Sequence, residues 1–259
     1  MSISKPKLEN PCKKFIDFKG DKGQFFFYDK EKEVQIEIPM PIYFVVLDEL
    51  STISGYNKKN DCGIYSNEVH STVKEILKVK TFKGGESITG LYNDVKDSIK
   101  ALGGKYTKSV YALLVKEDGN NELVNFKFRG SSFSGWLEKK FNTLNSVVGI
   151  VDLTEEVNGN TVYKVPVFKP FKMKEEIRQE AILLDEILQG YLDEYKNQLP
   201  EKEIAKAEVA EITAKDEWQG SANKEAIVNK SKEQNNIEDD LPFIFTIPIA
   251  LGIISQFIF

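Results

Sequence analysis

Histidine and cysteine are scarce in this 259-residue chain, and their scarcity excludes several kinds of site. His70 is the only histidine, so a site that needs two histidines cannot form, and a Ser/His/Asp triad is a poor explanation of the chain. Cys12 and Cys62 are the only cysteines and form no CxxC motif, which indicates free thiols in a reducing compartment. No charged n-region followed by an apolar h-region opens the sequence, so we expect a cytoplasmic protein.

The sequence also lacks the short motifs that bind nucleotides and metals. It contains no GxxxxGK[ST], GxGxxG, HExxH or EF-hand loop. We therefore expect a non-enzymatic protein without a cofactor. One triplet, Glu138–Lys140, has the ExK spacing with which a carboxylate holds Mg²⁺ while a lysine steadies the attacking water. The triplet leaves a magnesium-dependent nuclease as one alternative function.

Charge is divided unevenly along the chain. Residues 1–174 carry 27 basic against 22 acidic side chains, whereas residues 175–259 carry 8 against 18. A mildly basic body with an acidic C-terminal arm is expected when the body meets a polyanion and the arm meets a basic partner. The alternative is an acidic tail that is only solvated.

Short apolar and alternating runs predict a β-rich body in residues 1–172. Two hairpins are expected, "KYTKSVYALLVK" with "ELVNFKFRG" around "EDGNN", and "SVVGIVDL" with "TVYKVPVFK" around "VNGN". A further strand is expected at residues 76–83. About seven to nine strands without β-α-β-α alternation predict a mainly β fold with helices (α+β), whose body is a closed or partly closed antiparallel β-barrel.

Apolar residues at helical spacing predict three helices. The first runs from Ser87 to Leu102 and is stopped by Gly103-Gly104, and a short one covers about Ser134 to Leu144. A long amphipathic helix at 173–199 is ended by Pro200, and its apolar stripe either packs against the body or supports a homo-oligomer.

Composition divides the rest of the chain into two parts. Residues 200–236 are rich in Glu, Lys, Ala, Asn and Gln, which predicts a flexible linker. Residues 237–259 combine an acidic tip with a hydrophobic extension. Together they predict a disordered acidic tail.

Basic residues interleaved with aromatic residues on strand-like segments predict a surface for single-stranded nucleic acid. Cations follow the phosphates in such surfaces, and rings stack on exposed bases without reading their identity. The candidate residues are Lys78, Lys80, Phe82, Lys83, Lys105, Tyr106, Lys108, Tyr111, Lys127, Arg129 and Trp136. Other rings are expected in the core, namely Phe25, Phe26, Phe27, Phe126 and Phe128.

The stretch "IEDDLPF" at residues 237–243 resembles the acidic tip of bacterial and phage single-stranded DNA-binding proteins. In that family an OB-fold, a disordered linker and an Asp-rich tip ending in Pro-Phe follow in the same order as here. "GIYSNEV", "TFKGGE" and "GGKYTKSVYAL" also look like phage proteins of this kind. The resemblance implies an OB-like β-barrel in residues 1–172 and a protein that coats single-stranded DNA in replication, recombination and repair.

The resemblance also implies roles for the tip residues. By the family's pattern the acidic side chains meet basic residues of replication and recombination proteins, while Pro-Phe fills an apolar pocket. These partner-binding residues would be Asp239, Asp240, Leu241, Pro242 and Phe243.

The chain departs from the family pattern after Phe243. In the family the phenylalanine is the last residue and its carboxylate takes part in the contact, whereas Phe243 is internal here. Leu241–Phe259 is uncharged and close to the ~20 residues that a membrane helix needs. A tail-anchored, membrane-associated structural protein is thus the alternative to a single-stranded DNA-binding protein. An oligomerising segment, or one that folds back over the tip, also remains open.

Overall fold

The computed structural model describes residues 9–197, apart from residues 84, 86 and 144. These residues form a mainly β protein with eleven strands and three helices. The strands are β1 (Lys14–Lys19), β2 (Gln24–Asp29), β3 (Val34–Ile38), β4 (Ile42–Asn57), β5 (Cys62–Ser66), β6 (Leu77–Thr81), β7 (Ser87–Gly90), β8 (Gly104–Val115), β9 (Glu122–Phe128), β10 (Ser146–Asn158) and β11 (Thr161–Lys172). The helices are α1 (Tyr92–Leu102), α2 (Ser131–Glu138) and α3 (Glu175–Asn197).

All eleven strands belong to one mixed sheet. Its order is β3-β2-β1-β9-β8-β4-β5-β6-β7. The β10–β11 hairpin pairs through β10 with the beginning of β4, on the edge of β4 that faces away from β8. The β1–β9 ladder is parallel, with Ile16 opposite Phe126, so the prediction of an antiparallel barrel is wrong in strand direction. Both hairpins predicted from their turns are confirmed as β8–β9 and β10–β11. Hairpin turns leave a local signal, whereas pairing between distant strands leaves none.

The sheet curls but does not close within the described residues. Side chains from β1 and β2 share a core with side chains from β10 and β11, although the two hairpins lie on opposite sides of β8 and β4. A backbone hydrogen bond joins the two hairpins, from the Lys164 N–H to the Gly20 carbonyl at 2.8 Å. Strand β4 changes register between Val46 and Asp48, an irregularity of the kind that bends a strand.

The inner face of the sheet surrounds an aromatic core. Phe44 and Phe126 are fully buried there, with ring centroids 4.6 Å apart, and Trp136 of α2 closes the same core. The other buried members are Ile16, Phe18, Phe25, Ile42, Val110, Ala112, Leu114, Val124, Phe128, Val148, Ile150 and Phe168. The assignment of Phe25, Phe126 and Phe128 to the core is confirmed, and it also holds for Phe26, whereas Phe27 is partly buried.

The first predicted helix begins later than its apolar pattern indicates. Residues Ser87–Gly90 form β7 and pair with β6, and Leu91 is extended at φ −69° and ψ 146° before α1 begins. The strand uses Ile88 opposite Val79, so a residue that fits the helical stripe is taken by sheet pairing. The predicted stop is confirmed, because Gly103 has φ 99° and its N–H donates to the Ile99 and Lys100 carbonyls.

The second and third helices differ in how closely they follow the sequence pattern. Helix α2 covers Ser131–Glu138 rather than 134–144, because the chain turns at Gly130 (φ 55°) and leaves helical geometry at Lys139 (φ −58°, ψ 125°). Helix α3 covers Glu175–Asn197 and packs on the outer face of the sheet. Ala181, Leu188, Tyr191 and Tyr195 are buried in that contact, so these residues of the stripe pack against the body, which was one of the two alternatives.

Candidate nucleic-acid interface

A row of side chains crosses four neighbouring strands on the outer face of the sheet. Lys105 of β8 lies opposite Ser54 of β4, Ser54 lies opposite Tyr65 of β5, and Tyr65 lies opposite Lys80 of β6. Directly paired residues project from the same face of a sheet, so the four side chains form one continuous row. Lys78 lies two residues before Lys80 and projects from the same face. We call Lys78, Lys80, Tyr65 and Lys105 the lysine face.

Alternation along β6 explains why these lysines lie on the surface. Leu77 and Val79 are fully buried, and Lys78 between them is exposed. The buried residues pack with Ile53 and Ile64 beneath α1, which covers the other side of this part of the sheet. The lysine face is therefore outside because the apolar half of each strand has a helix to pack against.

Two other predicted residues follow the lysine face at its end. Phe82 is half-buried and directly follows β6, and its N–H donates to the Gly63 carbonyl at 2.9 Å. Lys83 is exposed, and its ammonium donates to the Asp61 carbonyl at 2.8 Å. The Asp61 carboxylate also lies 4.0 Å from that ammonium and accepts a hydrogen bond from the Tyr56 hydroxyl. Lys83 thus belongs to the β4–β5 turn as much as to the predicted surface.

Arg129 is buried rather than exposed to a ligand. One guanidinium nitrogen, Nη2, lies 3.2 Å from Asp17 Oδ1, and both side chains are less than one tenth exposed. The other, Nη1, donates to Ser54 Oγ at 3.2 Å, which places the guanidinium beside the lysine face. The prediction that Arg129 contacts phosphate does not fit, because its charge is already matched by a buried carboxylate.

Lys127 and Tyr111 belong to a buried polar network under α3. Glu68 is almost fully buried and accepts hydrogen bonds from Lys127 Nζ at 3.0 Å, Tyr111 Oη at 2.8 Å and Ser109 Oγ at 2.7 Å. Burial and the nearby Glu68 carboxylate raise the pKa of the Tyr111 hydroxyl well above its usual value. Tyr111 cannot stack on a base because α3 covers it, and Lys127 is paired with Glu68.

Tyr106, Lys108 and Trp136 lie on the inner face, on the opposite side from Lys105. Trp136 is fully buried, so its predicted stacking role is wrong. Lys108 forms an ion pair with Glu49 at 3.0 Å. Tyr106 is half-buried and shares a hydrogen bond with Ser51 Oγ at 2.7 Å. The predicted surface combined residues from both faces of β8, because the sequence could not show which face lies outside.

The structure also adds a residue that the sequence reading did not select. Tyr65 is half-buried and lies between Lys80 and Ser54 in the row, with Lys105 one strand beyond Ser54. Its signal was the alternation in β5, where Ile64 and Ser66 are buried on either side of it.

No group of three or more potential metal-ligating side chains occurs in the described residues. None of the helices in residues 9–197 has the length and apolar run needed to cross a bilayer.

Three predicted segments lie outside the described residues: the linker (200–236), the partner-binding residues Asp239 to Phe243, and the hydrophobic extension.

Comparison of the chain with protein families, with curated proteins and with solved structures finds no match. Support for a function therefore comes from the residues themselves and from the geometry of the lysine face.

Proposed function

We propose that the chain is a single-stranded DNA-binding protein, not an enzyme, and that the strand lies across the lysine face. The observation that supports this most is the row Lys105–Ser54–Tyr65–Lys80. Neighbouring strands are ~4.8 Å apart, so Lys105 and Lys80 are separated by roughly 14 Å across three strand spacings. That span lets two cations hold phosphates while Tyr65 meets a base between them, with no hydrogen bond that reads its identity.

The curled sheet also supports an OB-type body. The β1–β2 hairpin and the β10–β11 hairpin share one core and approach each other at Gly20 and Lys164, as in a barrel that is open at one seam. OB-type barrels bind single strands on an outer sheet surface, which is the side that carries the lysine face. The acidic tip would then recruit replication and recombination proteins, as the resemblance of residues 237–243 implies.

Fluorescence anisotropy with a labelled thirty-residue oligo-dT tests the proposal. The affinity should fall steeply with salt, because bound lysines release counterions from the strand, and a duplex of equal length should bind far more weakly. An oligo-dA of the same length should bind within about tenfold of oligo-dT, since stacking tolerates any base. Equal affinity for duplex and single strand would overturn the proposal. Loss of intact oligonucleotide on incubation with Mg²⁺ would favour the nuclease alternative instead.

A further inference from the structure

A second group of cations lies on the inner face, around Glu49. The Lys108 ammonium lies 3.0 Å from Glu49 Oε1, and the Trp136 indole N–H donates to Glu49 Oε2 at 3.3 Å. The Lys139 ammonium lies over the Trp136 ring, 3.9 Å from its centroid. We call Glu49, Lys108, Trp136 and Lys139 the Glu49 cluster.

Positive charge exceeds negative charge within the Glu49 cluster. It holds two ammonium groups and one carboxylate, and the side chains of Lys108 and Glu49 are only 17% and 32% exposed. Burial lowers the pKa of the Lys139 ammonium; Glu49 opposes that shift, and the neighbouring Lys108 charge adds to it. Two partly buried cations beside a single carboxylate repel each other, and a further negative charge would reduce that repulsion.

Partly buried aromatic rings continue directly from the cluster. Tyr106 lies on the same face of β8 as Lys108, two residues before it, and its ring centroid is 5.2 Å from those of both Phe133 and Tyr92. Phe133 and Trp136 are three residues apart in α2, so they project from one side of that helix. Cations and flat rings are thus adjacent here, as they are on the lysine face.

We infer that the Glu49 cluster is a second nucleotide subsite, in which a phosphate displaces the Glu49 carboxylate from Lys108 and pairs with Lys108 and Lys139, while the base contacts the Tyr106 and Phe133 rings. The ligand class rests on the proposed function. The shared chemistry is a phosphate with a flat base, supplied by a free nucleotide or by a nucleotide of a bound strand. Because Lys108 and Lys105 lie on opposite faces of β8, one strand can reach both sites only by passing around the sheet.

Emission from Trp136 reports on this subsite directly. In the full chain with Trp218→Phe, Trp136 is the only tryptophan, and its indole contacts both Glu49 and Lys139. Titration with dTMP or with a thirty-residue oligo-dT should change its emission in a saturable way. A response to both ligands identifies a free-nucleotide site, and a response to the oligonucleotide alone identifies a site for a bound strand. No response to either ligand, or an equal response to thymidine without phosphate, overturns the inference.

Matched variants separate the subsite from a general charge effect. Lys139→Ala should weaken the titrated response about tenfold or more, the equivalent of one hydrogen bond between charged groups. Glu49→Gln keeps an oxygen for the Trp136 N–H and removes the competing charge, so it should tighten binding about threefold. Lys140→Ala, at the exposed neighbour of Lys139, should leave the response unchanged. Glu122→Gln is the acidic control and should leave the response unchanged as well. Glu122 pairs with Lys14 and Lys116, at 2.7 Å each, and with no lysine of the cluster among the described contacts.

The two proposals fail in different measurements. Loss of oligo-dT anisotropy binding in the parent chain would remove the proposed function, whereas the dTMP titration of Trp136 reads the cluster alone. Normal oligo-dT binding with Lys139→Ala and Glu49→Gln both indistinguishable from the parent would remove the second subsite and leave the lysine face in place. Thermal unfolding of each variant excludes a folding defect as the cause of a lost response.

Discussion

Replacing Lys78, Lys80 and Lys105 together with alanine removes three positive charges from the lysine face without disturbing its core. Lys78 and Lys105 are exposed and Lys80 is half-buried, whereas the apolar residues of β6 are on the other side of the sheet. The fold should therefore remain intact. Because these lysines would neutralise phosphates and read no base, the loss of affinity should be the same for every sequence.

The size of the effect follows from counterion release. Each phosphate contact on a single strand contributes about 0.7 to the slope of log affinity against log salt, so three lost contacts should flatten that slope by about 2. At 0.1 M salt each such contact is worth roughly fivefold relative to 1 M, so the triple variant should bind about 100-fold more weakly. That loss equals about 2.8 kcal/mol.

Anisotropy titrations of oligo-dT at several salt concentrations give both quantities from one experiment. A triple variant at Lys22, Lys96 and Lys100 removes the same charge from exposed positions in the β1–β2 turn and in α1, and serves as the control. The control should lose only a small, uniform amount of affinity. If both triple variants weaken binding equally, net charge explains the binding and the lysine face does not. If the lysine-face variant keeps the parent slope, the strand lies elsewhere.

The remaining predictions concern the ring, the buried network, a turn and the tail. Tyr65→Ala should weaken the binding free energy for oligo-dT by about 1–3 kcal/mol, a rise in Kd of roughly 5- to 150-fold, with the salt slope unchanged, since stacking releases no counterion; a flattened slope would contradict this. Tyr111 has a raised pKa in the folded chain, so stability should be fully present below pH ~10 and should fall as pH rises further; urea unfolding should show a shallower alkaline loss in Tyr111→Phe. Gly103→Ala should lower the urea midpoint, because the added Cβ would lie 2.4 Å from the Tyr56 carbonyl oxygen at a φ of 99°; an unchanged midpoint would refute that reading. Removal of residues 237–259 should tighten oligo-dT binding by removing a tethered polyanion that competes for the same cations, and equal affinity of the two chains would show that the tail does not compete.

Local patterns predicted the elements far better than they predicted the faces. The alternation of Leu77 and Val79 with Lys78 and Lys80 gave the right side of β6, and the Gly-Asn turns gave both hairpins. The same alternation in β8 could not tell which side has a helix over it. Lys105 projects outward, whereas Lys108 lies on the inner face with Glu49, and that difference depends on the sheet's curvature and on α2.

Burial was hardest to predict where polar residues carry it. Tyr111 is fully buried because Glu68, which lies 43 positions away in sequence, accepts its hydroxyl hydrogen bond. Arg129 is buried because Asp17 meets it from β1. Asp17 reaches Arg129 through the parallel β1–β9 ladder, and Glu68 lies in the loop after β5. Both partners are distant in sequence, so no sequence spacing predicts either contact. An aromatic or basic residue in a strand therefore indicates a surface only after its distant partners are known.

Helix α3 and the lysine face share the outer side of the sheet and have opposite charge. The exposed acidic residues between Glu175 and Tyr195 are Glu175, Glu176, Glu186, Asp193 and Glu194. Arg178, the one basic residue of this stretch, forms an ion pair with Glu175 at 3.4 Å. A polyanion on this side of the sheet is attracted toward β6, β5 and the beginning of β8 and repelled from the part of the sheet under α3. Helix α3 covers Tyr111, and under the proposed function its acidic side chains would restrict a bound strand to the row from Lys105 to Lys80. The strand would then lie across β8 rather than along it, because β8 runs from Lys105 to Tyr111 under α3.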